Sequence, residues 1–462
     1  MTYDVIVIGA GVGGEAAGGE APGLGAKVAV IERDLVGGEC GFWACMPSKT
    51  LLNSAMRRQI GADYPFERAS ERRDWMISRE GIPYPDDAGH VEGLESAGAE
   101  VVRGVARIVG PGKVEVSRQG EATRTLESRN IVLSTGSDPV IPPIDGLEDA
   151  GYWTSRDATS ARELPSSIVV LGGGPVGVEM AQVYVRFGVK TTLVEGNDRI
   201  LARDHPRSSE VVAAQLREEG VDIRTGVHAT AVRREGAGRT VTLDVGSTVE
   251  GAVVLVAVGR RARDLRALGV EEAGGRLTDR GAADPDERMS IGEGLYVAGD
   301  AAGGLQFTHV ADYEGRIAVR AAMGRDVRAD LASVPKATYT DPEAGAIGVS
   351  VEEAQQAGID AFEVVQDFST TARGFTIEPS RGATTAIKEG APGHVTAVVD
   401  RERGILVGAF AACPDASDII HEAVLAVKAR IPVSVIADTI HAFPSGSRVF
   451  GNLIADAAKQ LA

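Results

Sequence analysis

Cys40 and Cys45, two of the three cysteines in this 462-residue sequence, are the residues best suited to chemistry. A glycine pair precedes them, and Pro47-Ser48-Lys49 follows. On a regular helix their Cα atoms would lie about 8 Å apart, beyond the limit of about 7 Å for a disulfide. The segment must therefore turn or tighten if the sulfurs are to bond, and the flanking glycines permit this. Because a zinc site needs four ligands and the sequence has no second Cys/His cluster, the pattern favours a redox-active pair over zinc ligands or two unpaired buried thiols.

Two glycine-rich turns indicate that the chain binds two dinucleotides. Each turn follows an apolar strand, predicted at 3–8 and 167–171, and precedes a helix. Such a turn lets the backbone approach a pyrophosphate at the positive end of the helix. The next strand ends on Glu32 in the first case and on Glu195 in the second, where an acid accepts the ribose hydroxyls. The glycines are Gly9, Gly11 and Gly14 in the first turn and Gly172, Gly174 and Gly177 in the second.

The cysteine segment, Cys-x4-Cys followed by Met-Pro-Ser-Lys, resembles the redox motif of the pyridine nucleotide-disulfide oxidoreductases. This family includes glutathione reductase, dihydrolipoamide dehydrogenase and mercuric reductase, and the resemblance extends over nearly the whole chain. It implies that the first glycine turn binds FAD and the second NADH or NADPH. Electrons would pass from the nicotinamide through the flavin to Cys40–Cys45, and on to a disulfide or an activated sulfur substrate.

The resemblance also implies the fold. We expect an α/β chain with two Rossmann-like dinucleotide-binding domains, one for FAD and one for NAD(P), and an α+β C-terminal dimerisation domain. The expected ranges are 1–150 and 271–334 for the two parts of the FAD-binding domain, 151–270 for the NAD(P)-binding domain and 335–462 for the dimerisation domain. In relatives the dimerisation domain of one subunit completes the active site of the other, so a homodimer is expected.

Individual roles follow from the same resemblance. The cysteine at the position of Cys45 faces the flavin and forms a charge-transfer complex with it, whereas the one at the position of Cys40 exchanges with substrate. Lys49 would lie against the isoalloxazine and pair with Glu179. A nearby cation and a helix N-terminus both lower the pKa of a thiol, so Cys45 is the member expected to form the thiolate.

Other segments resemble further cofactor contacts of the family. Thr135-Gly136 belongs to a second flavin-domain turn, and Gly259 to a Val-Gly-Arg turn that closes the NAD(P)-binding domain. The run 295–300 resembles the second FAD motif of the family, in which a strand delivers Asp300 to hydrogen-bond the ribityl chain of the flavin. His309 opens a helix expected to pass beneath the flavin, where it serves either as a structural contact or in the chemistry. The other histidines outside the C-terminal segment, His90 among them, show no catalytic constellation.

The residue at the end of the second nucleotide-binding strand bears on coenzyme choice. Glu195 would accept a hydrogen bond from a 2′-hydroxyl and repel a 2′-phosphate, which favours NADH. Arg199 and Arg203 lie close by in the sequence and keep NADPH open.

The C-terminal segment departs from the family. Disulfide-reducing relatives carry His-Pro-Thr-x-x-Glu, in which the histidine protonates the departing thiolate and the glutamate orients it. Here Phe443 replaces the histidine and Arg448 the glutamate. A phenyl ring cannot transfer a proton, so a step that needs this catalyst should slow by about 10²–10⁴-fold. His441 is a possible substitute two residues upstream, although the offset predicts a different direction for its side chain.

This departure leaves several readings of the substrate. The acceptor is a sulfur compound whose leaving group needs little protonation, or a metal ion, a quinone or a similar acceptor. Mercuric reductase also lacks the histidine, but its C-terminal cysteine pair is absent here. A third reading is carbon–sulfur bond cleavage like that of 2-oxopropyl-coenzyme M reductase/carboxylase, which has phenylalanine at the same position. A non-catalytic redox sensor is the fourth, and the intact dithiol and nucleotide motifs argue against it.

Bulk properties exclude several classes of partner. The formal charge of −17 disfavours nucleic acid and anionic membrane surfaces. No apolar run approaches the roughly 20 residues of a membrane span, and no basic leader precedes the first strand. We expect a cytoplasmic enzyme, because a working dithiol fits a reducing compartment. We also expect a small-molecule substrate and no metal site.

Overall fold

The computed structural model describes residues 2–78, 84–378 and 389–461. Its strands are β1 Thr2–Ile8, β2 Val28–Glu32, β3 Glu100–Arg103, β4 Val105–Gly110, β5 Lys113–Ser117, β6 Arg124–Leu133, β7 Ser137–Pro139, β8 Ser167–Leu171, β9 Lys190–Glu195, β10 Asp222–Thr225, β11 Ala229–Glu235, β12 Gly238–Leu243, β13 Thr248–Gly251, β14 Val253–Val256, β15 Arg260–Ala262, β16 Ser290–Gly292, β17 Leu295–Val297, β18 Lys336–Thr338, β19 Glu343–Gly348, β20 Ala361–Asp367, β21 His394–Asp400 and β22 Ile405–Cys413. Its α-helices are α1 Val12–Glu20, α2 Gly38–Phe42, α3 Cys45–Gln59, α4 Phe66–Ser78, α5 Ala88–Ala97, α6 Leu147–Ala150, α7 Ser155–Ser160, α8 Pro175–Arg186, α9 Pro206–Glu218, α10 Thr308–Ala322, α11 Val351–Gln356, α12 Ala372–Phe375, α13 Ala416–Ala429, α14 Val433–Ala437 and α15 Gly446–Leu461.

The chain forms two compact units. The first contains Met1–Ser48, Glu71–Val140 and Gly259–Asp330, and the second contains Lys49–Ser70, Ile141–Val258 and Leu331–Ala462. The limits predicted at 150, 270 and 334 are not tested by this division and stay predictions.

The first unit is built on one sheet with the spatial order β16-β17-β6-β1-β2-β3, and the β4–β5 hairpin extends from β6. The strands from β17 to β3 are parallel. The apolar run of β1 is buried on both faces, as a central parallel strand requires. Helices α1 and α10 pack closely, because Gly315 of α10 lies against the backbone of Gly13, where a Cβ would come within 2.3 Å of the carbonyl oxygen.

The second unit contains two large sheets and one small sheet. Strands β10-β9-β8-β14 form a parallel sheet, and β11-β12-β13 form a small antiparallel sheet beside it in the chain. Strands β18-β19-β22-β21-β20 form an antiparallel sheet whose core includes residues of α13 and α15. The two parallel nucleotide-binding sheets and the C-terminal α+β sheet confirm the predicted fold class. None of the helices in the described ranges is long and apolar enough to cross a membrane.

Candidate active site: a dithiol and two nucleotide cradles

The helix that carries the cysteines is interrupted between them. Cys40 lies in α2, which ends at Phe42, and Cys45 is the first residue of α3. Trp43 breaks the helix with φ −135° and ψ −7°, and Gly37 enters the segment with φ +109°. This break is the turn that the cysteine spacing requires. It brings both thiols to Thr308 at the start of α10, whose Oγ1 lies 3.1 Å from Cys45 Sγ and 3.4 Å from Cys40 Sγ.

His90 of α5 lies beside this redox segment. Its Nδ1 is 2.7 Å from Glu15 Oε1 in the first turn of α1, and its ring centroid is 5.7 Å from that of Phe42. A Cβ at Gly37 would come within 3.0 Å of the imidazole. The hydrogen bond to Glu15 raises the pKa of His90, and burial opposes it. Sequence reasoning left His90 without a role, since 75 positions separate it from Glu15.

The first glycine turn forms an open cradle at the N-terminus of α1. Gly9 has φ +95°, and a Cβ there would lie 2.3 Å from the carbonyl oxygen of Ser134. A Cβ at Gly14 would lie 1.9 Å from the carbonyl oxygen of Gly9, so the helix can pack on the turn only without a side chain. A Cβ at Gly11 would have no contact within 4 Å beyond its chain neighbours, so the backbone there is open to a ligand.

The acid and hydroxyl of this cradle fit a nucleotide. Glu32 Oε2 accepts from Ala10 N at 2.7 Å and Oε1 from Asp34 N at 2.7 Å, which fixes the buried carboxylate at the end of β2. A carboxylate has about four acceptor positions, so it can still receive ribose hydroxyls. Thr135 Oγ1 is buried and has no hydrogen-bond partner within the described structure. The adjacent Gly136, with φ +76°, has open space on its Cβ side. An open backbone beside an unsatisfied hydroxyl fits FAD.

Asp300 lies in a short 3₁₀ helix, Gly299–Ala302, directly after β17. Its Oδ2 accepts a short hydrogen bond from Ser137 Oγ, which in turn accepts from Arg260 Nε at 2.8 Å. Below it, Glu314 of α10 accepts from Gly299 N at 2.8 Å. The pKa of Glu314 is raised to about 7, chiefly by burial; the Gly299 hydrogen bond opposes this shift, and the charge of Asp300 adds to it. The buried chain of polar groups therefore fixes the carboxylate predicted to meet the ribityl chain.

Two more predicted cofactor contacts lie in the same unit. Gly259 has φ +122°, and its carbonyl oxygen accepts from Val140 N at 2.9 Å, beside the β7–β15 pair. His309 is exposed and stacks on Phe307, with ring centroids 5.3 Å apart and an interplanar angle of 11°. This geometry supports a packing role for His309.

In the second unit, Lys49 and Glu179 form the ion pair that the resemblance implied. Lys49 Nζ lies 2.7 Å from Glu179 Oε2, and the glutamate side chain is only 5 % exposed. Glu179 Oε1 also accepts from Tyr339 N at 3.0 Å, and the ammonium lies 4.7 Å from the Tyr339 ring centroid. The glutamate is therefore held from two sides and in turn fixes the direction of Lys49.

The second glycine turn repeats the geometry of the first. Gly172 has φ +109°, and a Cβ there would lie 2.4 Å from the carbonyl oxygen of Ala257. A Cβ at Gly177 would lie 1.9 Å from the carbonyl oxygen of Gly172, whereas Gly174, before α8, is open. The turn fits a second dinucleotide.

Glu195 lies at the end of β9, beside this turn. Its Oε2 accepts from Gly173 N at 2.6 Å, and its Oε1 accepts from Asn197 N at 2.7 Å. The guanidinium of Arg199 donates to the carbonyl oxygens of three nearby residues, Leu201, Ala202 and Asp204. Arg199 is thus committed to the backbone of its own loop, whereas Arg203 is exposed.

The C-terminal segment places the predicted acid–base candidates differently. Phe443 is 74 % exposed, and Arg448 is exposed in the first turn of α15. The His441 side chain is only 6 % exposed, and its Nε2 lies 2.8 Å from Glu422 Oε1 of α13. A Cβ at Gly451 would lie 2.5 Å from the His441 ring. His441 therefore joins α13 to α15 inside the C-terminal domain.

Comparison with known proteins gives the family. Residues 3–315 match the family described as pyridine nucleotide-disulphide oxidoreductase, and residues 334–454 match its dimerisation domain. The chain belongs to the pyridine nucleotide-disulphide oxidoreductase family. This confirms the resemblance found in the sequence. It also establishes an enzyme class: a flavoprotein oxidoreductase with a disulfide redox centre, which uses FAD and NAD(P)H as the members of this family do.

Three proteins illustrate the range of this similarity. Dihydrolipoyl dehydrogenase from Geobacillus stearothermophilus is 31 % identical over 462 residues, covering 96 % of this chain and 93 % of the relative. Mercuric reductase from Staphylococcus aureus is 28 % identical, covering 95 % of this chain and 79 % of the relative. The structure of RclA from Escherichia coli, an HOCl-induced flavoprotein disulfide reductase crystallised as a Cu(II) complex, is similar with a TM-score of 0.86 and 26 % identity, covering 98 % of this chain and 99 % of RclA. These relatives differ in substrate, so the family alone does not give the acceptor.

Within this family fold, the first unit contains one group of the predicted residues and the second unit contains the other. The first group is Cys40, Cys45, Gly9, Gly11, Gly14, Glu32, Thr135, Gly136, Gly259, Asp300 and His309. The second is Lys49, Glu179, Gly172, Gly174, Gly177, Glu195, His441 and Phe443. The contact that sequence reasoning missed is Thr308, for which the preceding strand and Asp300 were the only signal.

Proposed function

We propose that this oxidoreductase uses its Cys40–Cys45 pair to reduce a disulfide or activated sulfur acceptor whose leaving group needs no proton donor from the protein. The observation that carries this proposal is the convergence of both sulfurs on Thr308 Oγ1. A pair of thiols held on one hydroxyl, on either side of a helix break, is arranged to open and close a disulfide. When bound, FAD takes an electron pair from NAD(P)H and supplies it to this pair.

Cys40 has the role of the attacking sulfur. Its thiolate attacks one sulfur of the acceptor, whose S–S bond breaks and releases a thiolate with the bonding electron pair. The Cys45 thiol then gives its proton to water, and its thiolate attacks the Cys40 sulfur of the mixed disulfide, which re-forms the Cys40–Cys45 bond and releases the second thiolate. Neither leaving group meets an acid at position 443, because that residue is phenylalanine. Acceptors whose thiols are acidic therefore suit the enzyme best, since a lower leaving-group pKa speeds the exchange.

NADH is the coenzyme that the second cradle favours. Glu195 is fixed by two backbone N–H groups and presents its charge at the end of β9, where a 2′-phosphate would be repelled. Arg199 donates to backbone carbonyls, so it does not offer a ready counter-charge for that phosphate. Arg203 alone remains as an exposed cation in this loop.

We place the enzyme in the cytoplasm as a homodimer. The chain has the dimerisation domain of its family. Large apolar side chains are exposed on this domain, among them those of Ile440, Phe443, Leu425 and Val435, exposed by 95 %, 74 %, 61 % and 53 %. Apolar surface of this kind is typical of protein interfaces. A reducing compartment keeps a working dithiol available for turnover.

A metal ion is the second candidate acceptor. The RclA structure is a Cu(II) complex, and mercuric reductase is among the relatives. One-electron reduction of Cu(II) has no thiol leaving group to protonate, so the phenylalanine at position 443 is no obstacle to it. The dithiol offers soft sulfur ligands, which suit the Cu(I) that forms when Cu(II) is reduced.

An anaerobic NADH titration of the FAD-loaded protein, followed by an acceptor screen, separates these possibilities. We expect a long-wavelength charge-transfer band at two electrons, and Cys40→Ala should lower turnover with sulfur acceptors by at least about 10²-fold while leaving flavin reduction intact. Cys413→Ala is the matched control, because this thiol is buried in the core of the C-terminal sheet. Direct bleaching of the flavin without the band, together with equal turnover in Cys40→Ala, would contradict the sulfur proposal. Cu(II) reduction as the only activity would favour the second candidate.

The missing acid is tested by restoring it. Phe443→His should raise turnover with disulfides of weakly acidic thiols, by up to about 10²-fold, and leave acceptors with acidic thiols little changed. The exposed position of Phe443 means that the change should not disturb folding. Equal rates for both acceptor types before and after the change, with FAD content retained, would show that protonation does not limit the reaction.

A further inference from the structure

Thr308 is the residue that touches both reactive sulfurs. It is the first residue of α10 and lies 268 positions from Cys40 and 263 from Cys45. Its hydroxyl donates to Cys40 Sγ at 3.4 Å, and it lies 3.1 Å from Cys45 Sγ, where either atom can donate. A threonine hydroxyl has one hydrogen to donate and two lone pairs that accept. When its hydrogen points to Cys40, the hydroxyl can accept the S–H of Cys45.

This arrangement has a direction. The Thr308 hydroxyl donates to Cys40, and in that state its oxygen is left to accept from the Cys45 thiol. A donor aimed at a sulfur stabilises the thiolate form of that sulfur, as hydrogen bonds to charged groups are the stronger ones. We infer that Thr308 passes the proton between the two sulfurs of the reduced pair, so that the negative charge moves from Cys45, where it gives the charge-transfer band, to Cys40, the sulfur that meets the acceptor.

The transfer balances within the three groups. It starts with Cys40 as the thiol and Cys45 as the thiolate. The S–H bond of Cys40 breaks and an O–H bond forms on Thr308, while the original O–H bond of Thr308 breaks and an S–H bond forms on Cys45. The pair holds one proton and one negative charge before and after, and no electron moves. Cys40 then carries the lone pair that attacks the acceptor.

Such a relay matters in this chain because the usual proton-transfer residue is replaced. Phe443 cannot move a proton, and the His441 ring is almost fully buried against Glu422 and Gly451. Thr308 lies in the same compact unit as both cysteines, so it needs no other part of the chain to reach them. The inference rests on the proposed function in one respect, namely that Cys40 is the sulfur that meets the acceptor.

The test measures the nucleophilicity of each cysteine without any acceptor. The FAD-loaded enzyme is reduced, and its alkylation by iodoacetamide is followed anaerobically from pH 5 to pH 10, with each cysteine quantified by peptide mass spectrometry. In the wild type, Cys40 should be the faster site at neutral pH. Thr308→Val keeps the shape of the side chain and removes the hydroxyl. It should slow Cys40 alkylation at neutral pH about 10- to 100-fold and move the midpoint of its pH profile upward.

Two further variants exclude a structural effect. Thr308→Ser restores a hydroxyl and should restore the wild-type profile, whereas Thr308→Ala should behave like Thr308→Val. Cys413 reports on folding in every sample, because it is fully buried and burial raises the pKa of its thiol well above the ordinary range. Its alkylation should therefore stay negligible while the protein is folded.

The outcomes separate this inference from the proposed function. A Cys40 profile in Thr308→Val and Thr308→Ala that superimposes on the wild type overturns the relay, even if turnover with sulfur acceptors is normal. A shifted profile in both variants, rescued by serine, supports the relay even if no sulfur acceptor is reduced. Faster alkylation of Cys45 than of Cys40 in the wild type would also overturn the assigned direction.

Discussion

The ion pair between Lys49 and Glu179 gives a sharp test of the geometry in the second unit. Lys49→Met keeps the length and apolar stem of the side chain but removes the ammonium. Glu179 would then be left 5 % exposed, with Tyr339 N as its remaining partner among the contacts described above. Removing one member of a buried pair costs about 3–5 kcal/mol. The lysine side chain is 35 % exposed, so water screens part of the interaction, and we expect about 2 kcal/mol.

The Tyr339 amide is the natural reporter of this change. It donates to Glu179 Oε1 at 3.0 Å, so its hydrogen exchange measures how often that contact opens. If the unpaired carboxylate turns towards water, protection of this amide should fall by about 30-fold, which corresponds to about 2 kcal/mol. The assay is native-state hydrogen exchange with mass spectrometry, resolved to the peptide that contains Tyr339. Glu179→Gln should cost less, because the amide oxygen can still accept from Tyr339 and no buried charge is left.

A matched pair in the same unit supplies the control. Lys459 and Asp456 of α15 also lie 2.7 Å apart, but their side chains are 76 % and 61 % exposed. Lys459→Met should leave local exchange nearly unchanged, since exposed ion pairs contribute little. Equal and small effects of Lys49→Met and Lys459→Met would refute the argument that burial makes the first pair important. A double-mutant cycle of Lys49→Met with Glu179→Gln that is strictly additive would refute their coupling.

Three other predictions concern single groups. Burial raises the pKa of Glu314 from 4.5 to about 7, so its ionisation should destabilise the fold as pH rises from about 4.5 to 7; Glu314→Gln, which can still accept from Gly299 N, should gain up to roughly 3 kcal/mol over the wild type at pH 8 but little at pH 4.5, as measured by calorimetric Tm. The hydrogen bond to Glu15 raises the pKa of His90, so its stabilising contribution is complete below pH 6.5 and is lost as pH rises through the raised pKa; His90→Gln should remove this component from the Tm–pH profile, and an unchanged profile would contradict the pairing. Glu195→Ser should raise the ratio of NADPH to NADH use, measured as kcat/KM, by about 10- to 100-fold, and a ratio that does not move would assign coenzyme choice to another residue.

Local patterns explain why much of the nucleotide-binding architecture could be predicted from the sequence. The strand at 3–8 is observed as Thr2–Ile8, and that at 167–171 as Ser167–Leu171. Each glycine-rich turn has local backbone requirements, because only glycine tolerates the close approach of neighbouring backbone atoms. The turn is therefore visible in the sequence as a fixed spacing of glycines. The helix break between the cysteines was likewise predictable, because covalent geometry alone rules out a regular helix.

Contacts between distant positions could not be predicted in this way. Thr308 meets Cys40 across 268 positions, and nothing in either local pattern encodes that approach. Lys49 and Glu179, 130 positions apart, could be paired only through the family resemblance. The carboxylate partner of His441 is Glu422, whose side chain comes from a different helix. Such pairings depend on how the sheets and helices pack, which single-residue spacing does not specify.

The position of His441 narrows the chemistry of the acceptor. A proton donor must reach within about 3 Å of the departing atom, but the His441 ring is enclosed by Glu422 and Gly451 and is only 6 % exposed. Ile440 and Phe443 stand outward on this loop, and neither side chain has an exchangeable proton. In the proposed reaction the acceptor therefore meets no acid at position 443. In the proposed mechanism, proton movement confined to the dithiol and Thr308 serves an acceptor that departs as a stable anion or takes electrons without breaking a bond, and it does not serve a disulfide of weakly acidic thiols.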